Sequence, residues 1–202
     1  MNILITGSSS GVGEGLMLSL SKTHDVIGLT RNDLDLSNIT NVATFNMPHV
    51  DMLINCAGTD IGGKIEFTKH NTNEVVTIIN TNLIAPVLLS QKALQINSNC
   101  KIVNITSTNN IKYYPNNLTY SLSKKSLESF TNMLRVEYPS IDILEVRLGL
   151  TKTNFNHNRF KGHEERYNDI YYVNKHLKVE DVVTKIEEVL FNDEVTFIEI
   201  AP

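Results

Sequence analysis

Short apolar runs alternate with longer amphipathic stretches along the whole chain. The runs are rich in Val and Ile and show little polar alternation, which is typical of strands covered on both faces. These predicted strands lie at 2–6, 25–30, 51–55, 101–106, 141–146 and 195–200. Between them, helical patterns occur at about 12–22, 73–97, 118–137 and 179–191. Strand, helix and strand in this rhythm predict an α/β fold, a doubly wound parallel sheet with right-handed crossovers.

The longest helical stretch contains a proline. Pro86 lies inside 73–97, and proline has no backbone N–H and clashes with the preceding turn. We therefore expect this helix to be kinked or split.

Size and charge limit the possible functions. With 202 residues the chain is long enough for one domain with a substantial core. It has 18 basic and 22 acidic residues and a net charge of −4, which does not favour nucleic acid or an anionic membrane as a partner. No run approaches the ~18 apolar residues of a membrane span, and no targeting signal is evident. We expect a cytoplasmic protein that acts on a small molecule.

The two cysteines do not predict a metal site or a disulfide framework. Cys56 and Cys100 are far apart in the sequence and lack the spacing of a ligand pair. We expect both to be buried apolar side chains in a reducing compartment. No metal is predicted.

A turn with few side chains joins the first strand to the first helix. Residues 6–13 read "TGSSSGVG". Glycines allow a ligand to approach the backbone, and the N–H groups at a helix start attract anions. A tight turn without a ligand would use the same residues, so the turn alone does not establish a phosphate site.

The spacing T-G-x-x-x-G-x-G resembles the turn of the short-chain dehydrogenase/reductase family, and further matches follow in the family's order. "NCAG" at 55–58 is similar to N-N-A-G, with Cys56 in place of the second Asn. "NTNL" at 80–83 is similar to the family's helical Asn segment and makes Asn82 the functional Asn. The resemblance implies that Asn82 supports a water that relays protons.

The remaining matches carry the chemistry of the family. "YSLSK" at 120–124 is Y-x-x-x-K, Ser107 ends the strand before it, and "RLGLTKT" at 147–153 resembles P-G-x-x-x-T with Leu148 in place of Pro. The resemblance covers nearly the whole chain and implies a single Rossmann-like domain over 1–202. The chain is shorter than is usual for the family, and little room remains before "DMLIN" for the usual helix and strand.

Tyr120 and Lys124 form a candidate acid–base pair. They lie four residues apart on a predicted helix, hence on one face, and a nearby ammonium lowers the pKa of a phenol toward neutral pH. Such a phenol can donate or accept a proton. Ser107, at the C-terminal end of a central strand, could hydrogen-bond the same substrate oxygen. The alternatives are a solvated Tyr and Lys on a surface helix and a Ser that only caps a turn.

The end of the second strand indicates the cofactor. An acidic residue there usually selects NAD, whereas a nearby Arg accommodates the 2′-phosphate of NADP. Here the strand ends in Thr30-Arg31, so we expect NADP(H) to be preferred, with NAD(H) possible because Asp33 is close. The resemblance implies that the cofactor is held by Gly7, Ser9, Ser10, Gly11, Val12, Gly13, Arg31, Asp35, Leu36, Asn55, Ala57, Gly58, Tyr120, Lys124, Gly149 and Thr153.

The predicted function is hydride transfer between a nicotinamide cofactor and a small carbonyl or alcohol substrate. A nucleotide-sugar epimerase or dehydratase and a cofactor-binding regulator on the same fold remain as alternatives. The mixed aromatic and charged segment 154–176 is interpreted as a substrate lid, although an oligomer contact or a polar loop would have a similar composition. A homodimer is expected through the helices at 73–97 and 118–137, with Leu88, Leu89, Leu127 and Phe130 facing outward.

Overall fold

The computed structural model describes residues 1–63, 65–112, 114–160 and 164–202. Six parallel strands form one sheet in the order β2-β1-β3-β4-β5-β6. Because the strand order reverses between β1 and β3, their C-terminal ends border the crevice in which doubly wound sheets bind ligands. The predicted Rossmann-like fold is confirmed. The strands are β1 Asn2–Thr6, β2 Asp25–Leu29, β3 Met52–Asn55, β4 Lys101–Ser107, β5 Ile143–Leu148 and β6 Phe197–Ile200.

Helices cover both faces of the sheet. They are α1 Gly11–Leu20, α2 Ile39–Thr44, α3 Thr72–Ile79, α4 Ala85–Ile96, α5 Leu118–Glu137, α6 Asn154–Arg159, α7 Glu164–Val173 and α8 Val179–Leu190, with 3₁₀ turns at Phe67–Lys69 and Thr108–Asn110. Buried side chains of α1 and α8 pack on one face, where Ile3 and Ile5 point. Those of α2, α4 and α5 pack on the other face, where Leu4 and Leu53 point. Both faces are therefore apolar, which explains the continuous hydrophobic strands.

The helix that contains Pro86 is interrupted, as predicted. A π-helical turn, Asn80–Ile84, separates α3 from α4, and Pro86 lies in the first turn of α4. Proline cannot donate to the carbonyl four residues earlier, so the Asn82 carbonyl receives no hydrogen bond from residue 86.

The same segment bears on the expectation that no membrane span is present. Thr72–Ile96, 25 residues, is long and apolar enough to cross a membrane by length and composition only. In this fold it packs against the sheet and α5, with Ile78, Leu89 and Ala93 buried. One such helix is weak evidence for a membrane span.

Two of the four residues expected at a dimer surface face the core instead. Leu89 and Leu127 are 0% and 1% exposed, because the helical phase turns them toward the sheet and the neighbouring helix. Leu88 and Phe130 are half-buried and pack against the core. The exposed large apolar side chains of these helices are different ones: Val76, Ile96, Leu118, Leu122, Met133 and Val136.

The sheet ends at β2 on one side. Between Leu29 and Met52, a stretch that is fully described, the chain forms the six-residue helix α2 and no strand. The sheet therefore has β2 as an edge strand, paired with β1 alone.

Candidate active site

A cleft of about 920 Å³ opens at the C-terminal ends of the strands. The cleft extends from the glycine turn to the end of β4 and the start of α5. Most of the predicted site residues line it: Gly7, Ser9, Ser10, Gly11, Val12, Gly13, Arg31, Asp35, Leu36, Ala57, Gly58, Ser107, Tyr120, Lys124, Gly149 and Thr153. Asn55 and Asn82 do not.

At two glycines of the turn, the structure leaves no room for a side chain. Gly7 and Gly11 have φ angles of +74° and +61°, which favour glycine. A Cβ on Gly7 would lie 2.8 Å from the Cα of Ala57, and one on Gly13 would lie 2.3 Å from the carbonyl oxygen of Gly7. Ser10 caps α1 without a side-chain hydrogen bond, so its side chain satisfies none of the first N–H groups. This turn fits a pyrophosphate group.

The structure separates the roles of the two charged residues after β2. The Oδ2 of Asp33 accepts hydrogen bonds from the Thr30 hydroxyl at 2.6 Å and the Thr30 N–H at 2.9 Å. The hydrogen bond from the Thr30 side chain is the main reason why the pKa of Asp33 is lowered. Asp33 therefore folds back on its own turn, while exposed Arg31 lines the cleft. The positive charge of Arg31 is therefore at the cleft, whereas the Asp33 carboxylate is engaged by Thr30.

Ser107, Tyr120 and Lys124 are buried together beside the cleft. Their exposures are 8%, 7% and 4%. Ser107 ends β4, and the other two lie one helical turn apart at the start of α5. The Nζ of Lys124 donates to the Ile105 carbonyl at 2.8 Å, which holds the ammonium against β4.

The ionisation of Tyr120 differs from the sequence expectation. Burial raises the pKa of Tyr120, and the charge of Arg159 and a hydrogen bond with Ser107 only partly oppose this effect. Lys124, predicted to lower the pKa of Tyr120, is not among its causes. Burial lowers the pKa of Lys124 itself to about 8. The reason for the difference is that the tyrosine ring is buried against α6, 5.6 Å from the ring of Phe155.

Asn82 and Asn55 lie behind the cleft rather than in its wall. The Oδ1 of Asn82 accepts from the Thr59 N–H at 2.7 Å, and its Nδ2 donates to the Thr59 carbonyl and to Ser123. Asn55 donates to Asn104 and Ser90 in a buried polar network. Asn82 therefore fixes the loop that follows Gly58, and Asn55 joins β3 to β4. Neither residue lines the cleft.

The sequence pattern did not indicate two charged residues at this site. The Nε of Arg159, in α6, lies 2.6 Å from the Oδ2 of Asp60, in the loop after β3. Both side chains are about 95% buried, with exposures of 6% and 5%. They are about 100 residues apart in the sequence, and neither belongs to a periodic pattern. No sequence signal pairs them.

The segment 154–176 forms α6 and α7, with 161–163 outside the described residues. Phe155 and Arg159 of α6 line the cleft. The hydroxyl of Tyr171, in α7, accepts from the Nδ2 of Asn156 at 2.8 Å and donates to the Thr151 carbonyl at 3.3 Å. These bonds attach α7 to α6 and to the loop after β5. Among the described residues, no group of three or more His, Cys, Asp or Glu could hold a metal ion.

Comparisons with known proteins agree with this geometry. The model of the short chain dehydrogenase family matches residues 27–164. A Schizosaccharomyces pombe protein named NADP-dependent 3-hydroxy acid dehydrogenase is 26% identical over 96% of this chain and 91% of its own. A Bacteroides thetaiotaomicron protein named 3-ketodihydrosphingosine reductase is 31% identical over 84% of this chain and 72% of its own.

Solved structures share the fold. The closed form of serine dehydrogenase complexed with NADP+ has a TM-score of 0.84 and 22% identity over 99% of this chain and 94% of its own. A small-chain dehydrogenase in complex with NADPH has a TM-score of 0.85 and 20% identity over 100% of this chain and 96% of its own. A 4-hydroxyisoleucine dehydrogenase complexed with NADH has a TM-score of 0.79 and 23% identity over 99% of this chain and 96% of its own.

Proposed function

Because the chain belongs to the short-chain dehydrogenase/reductase family, we propose that it is an NADP(H)-dependent enzyme that interconverts a carbonyl and an alcohol on a small molecule. One observation carries the proposal. A single cleft holds a turn shaped for pyrophosphate, a cationic side chain at its adenosine end and the buried set of Ser107, Tyr120 and Lys124. A regulator that only binds a cofactor would not need these three side chains together.

The preference for NADP(H) rests on Arg31 and on the fixed position of Asp33. The yeast relative is NADP-dependent by name, and two of the similar structures hold NADP+ or NADPH. Another similar structure holds NADH, so the fold accepts both cofactors. The residues that follow β2 must therefore decide the preference in this chain.

Each of the three buried side chains of the cleft has a separate role in the proposed reaction. When bound, the nicotinamide supplies or accepts the hydride. Tyr120, kept protonated at neutral pH by burial, donates a proton to the carbonyl oxygen in the reduction direction. Ser107 hydrogen-bonds the same oxygen and orients the carbonyl. The ammonium of Lys124 lies behind Gly58, where a Cβ would meet it at 3.6 Å, and would hold the nicotinamide ribose.

Asn82 is assigned to the proton path as a positioning residue. Its Oδ1 and the Nζ of Lys124 lie at the same distance, 3.6 Å, from the position of a Cβ on Gly58. Pro86, four residues later, has no N–H to donate to the Asn82 carbonyl. These features support a relay from solvent to Lys124.

We also propose a homodimer and a substrate lid. Leu122, Met133 and Val136 expose 53%, 67% and 84% of their surface on α5, and burying such side chains stabilises an interface. Over the cleft, α6 contributes Phe155 to the wall and its ring contacts Tyr120. A segment in this position can exclude water from the reacting carbonyl.

The function is tested by screening a library of aldehydes and ketones for oxidation of NADPH. Tyr120→Phe removes one hydroxyl, so we expect at least about a 10²-fold loss of turnover and an unchanged Kd for NADPH. Tyr138→Phe, at the end of the same helix, is the matched control and should retain activity. Near-normal turnover in Tyr120→Phe would remove Tyr120 from the mechanism. If no carbonyl supports NADPH oxidation and no alcohol supports NADP+ reduction, the proposal is wrong.

A further inference from the structure

Arg159 is a buried cation fixed beside the reacting tyrosine. Its guanidinium carbon lies 5.1 Å from the ring centroid of Tyr120 and 5.0 Å from that of Phe155. The Nε is paired with Asp60 at 2.6 Å, and Nη1 donates to the Oδ1 of Asn156 at 2.9 Å. Two polar partners and two rings therefore fix the guanidinium in the wall of the cleft.

Among the described residues, the contacts of Arg159 engage only part of its donor set. A guanidinium carries five N–H donors in a rigid plane. Asp60 and Asn156 engage Nε and Nη1, whereas Nη2 donates no hydrogen bond to any residue of 1–63, 65–112, 114–160 or 164–202. Arg159 itself lines the cleft, so Nη2 is the guanidinium nitrogen left for a ligand there. A charged donor in this position is suited to an anionic oxygen.

The surroundings favour a carboxylate as the acceptor. Asp60 balances the charge of Arg159 when the cleft holds no substrate, which limits the cost of burying the cation. Arg31, Lys112 and Lys175 also line the cleft, but all three are exposed, and water screens exposed charges. Lys124 is buried as well, but its Nζ donates to the Ile105 carbonyl and is assigned to the nicotinamide ribose. Arg159 is therefore the buried cation that remains for a substrate.

We propose that Arg159 binds a carboxylate of the substrate through Nη2, so that the cleft selects oxo acids and the corresponding hydroxy acids over neutral carbonyl compounds. This inference rests on the proposed function. Because the guanidinium stacks on the ring whose hydroxyl donates the proton, the carboxylate and the reacting carbonyl are separated by only a few carbons. Phe155, on the other side of the guanidinium, leaves little room for a bulky group between them.

A purely structural Arg159 would give a different result on substitution. The pair with Asp60 also attaches α6 to the loop after β3, and removing one partner leaves a buried charge uncompensated. Two variants separate these effects. Asp60→Asn breaks the ion pair and keeps the cation, whereas Asp60→Asn combined with Arg159→Gln removes both charges. The two variants differ only at Arg159.

The experiment compares acetoacetate with its methyl ester, which has the same ketone without the negative charge. A charge-assisted hydrogen bond contributes about 1.5–3 kcal/mol, so kcat/KM should favour the acid by about 10- to 150-fold. Asp60→Asn should keep this preference, and the double variant should lose it while still reducing the ester. A wild-type ratio near one, or an unchanged ratio in the double variant, would overturn the assignment.

A binding measurement covers the case in which neither compound is reduced. Malonate, a dicarboxylate without a ketone, is titrated by calorimetry into the enzyme saturated with NADPH. Wild type and Asp60→Asn should bind it, and the double variant should bind it at least about 10-fold more weakly. Equal binding by all three proteins would contradict the role of Arg159. The failure of every carbonyl in the NADPH screen would instead contradict the proposed function, whatever the malonate result.

Discussion

Substitution of Arg31 by alanine tests how this chain selects its cofactor. Arg31 lies two residues after Leu29, the last residue of β2. It is exposed and lines the cleft. The nearby carboxylate of Asp33 is held by two hydrogen bonds from Thr30, so it does not compete for the ribose hydroxyls. The variant therefore removes the cation from the adenosine end of the cleft without releasing an acidic group there.

The magnitude follows from the contact that is lost. A hydrogen bond between a guanidinium and a phosphate is charge-assisted and contributes about 1.5–3 kcal/mol, or about 10- to 150-fold in affinity. We expect the wild type to bind NADPH more tightly than NADH by a ratio in this range. Arg31→Ala should weaken NADPH by most of this factor and leave NADH nearly unchanged, because NADH has no 2′-phosphate.

The assay is a fluorescence titration of both cofactors against both proteins. Lys22→Ala is the matched control, because Lys22 is an exposed cation before the other end of β2 and its loss changes the net charge equally. It should not alter the ratio. Equal affinities of the wild type for both cofactors would refute the reasoning, as would the same ratio in Arg31→Ala. A smaller ratio at high salt is expected, because Arg31 is exposed.

Two further predictions concern stability and assembly. Burial lowers the pKa of Lys124 from 10.5 to about 8. Between about pH 8 and pH 10.5 the unfolded chain therefore binds more protons than the folded protein. The free energy of unfolding rises with pH in this range because of that difference. In Lys124→Met, the free energy of unfolding should rise less steeply with pH, by up to about 1.4 kcal/mol per pH unit. Urea denaturation of both proteins at about pH 8 and pH 9 without cofactor measures this difference. The same rise in wild type and variant would contradict the lowered pKa of Lys124. Met133→Glu places a charge in the exposed apolar surface of α5, so it should convert the expected homodimer to a monomer. Light scattering at micromolar concentration measures the mass of both proteins. A monomeric wild type would contradict the dimer.

The sheet and the central motifs were predictable because local rules determine them. Strands buried on both faces read as continuous apolar runs, and Pro86 cannot continue a regular helix. The glycine turn, Ser107 and the pair of Tyr120 and Lys124 follow from spacing along single elements. The family and the Rossmann-like fold are confirmed, whereas the roles of the individual site residues stay predictions.

Other features depend on tertiary packing and left no signal in the sequence. The direction of the pKa shift of Tyr120 depends on its burial beneath α6, a six-residue helix too short to show a period. Its start is set by Thr153, whose Oγ1 accepts from the N–H of Phe155 at 3.2 Å. Leu89 and Leu127 were assigned to the wrong side, because apolar residues on a helix do not reveal which of two apolar surroundings they face.

The edge position of β2 couples cofactor choice to local unfolding. The Leu29 carbonyl accepts from the N–H groups of Gly7 and Ser8 at 2.9 and 3.3 Å, so the end of this strand joins the phosphate turn to the segment that carries Arg31. A strand with one neighbour opens at lower free energy than one paired on both sides, and each opening here would disturb both halves of the cofactor site at once. A ligand that binds only the closed state makes opening rarer. Amide hydrogen exchange in β2 would thus report which dinucleotide is bound, although none of the β2 amides need touch it.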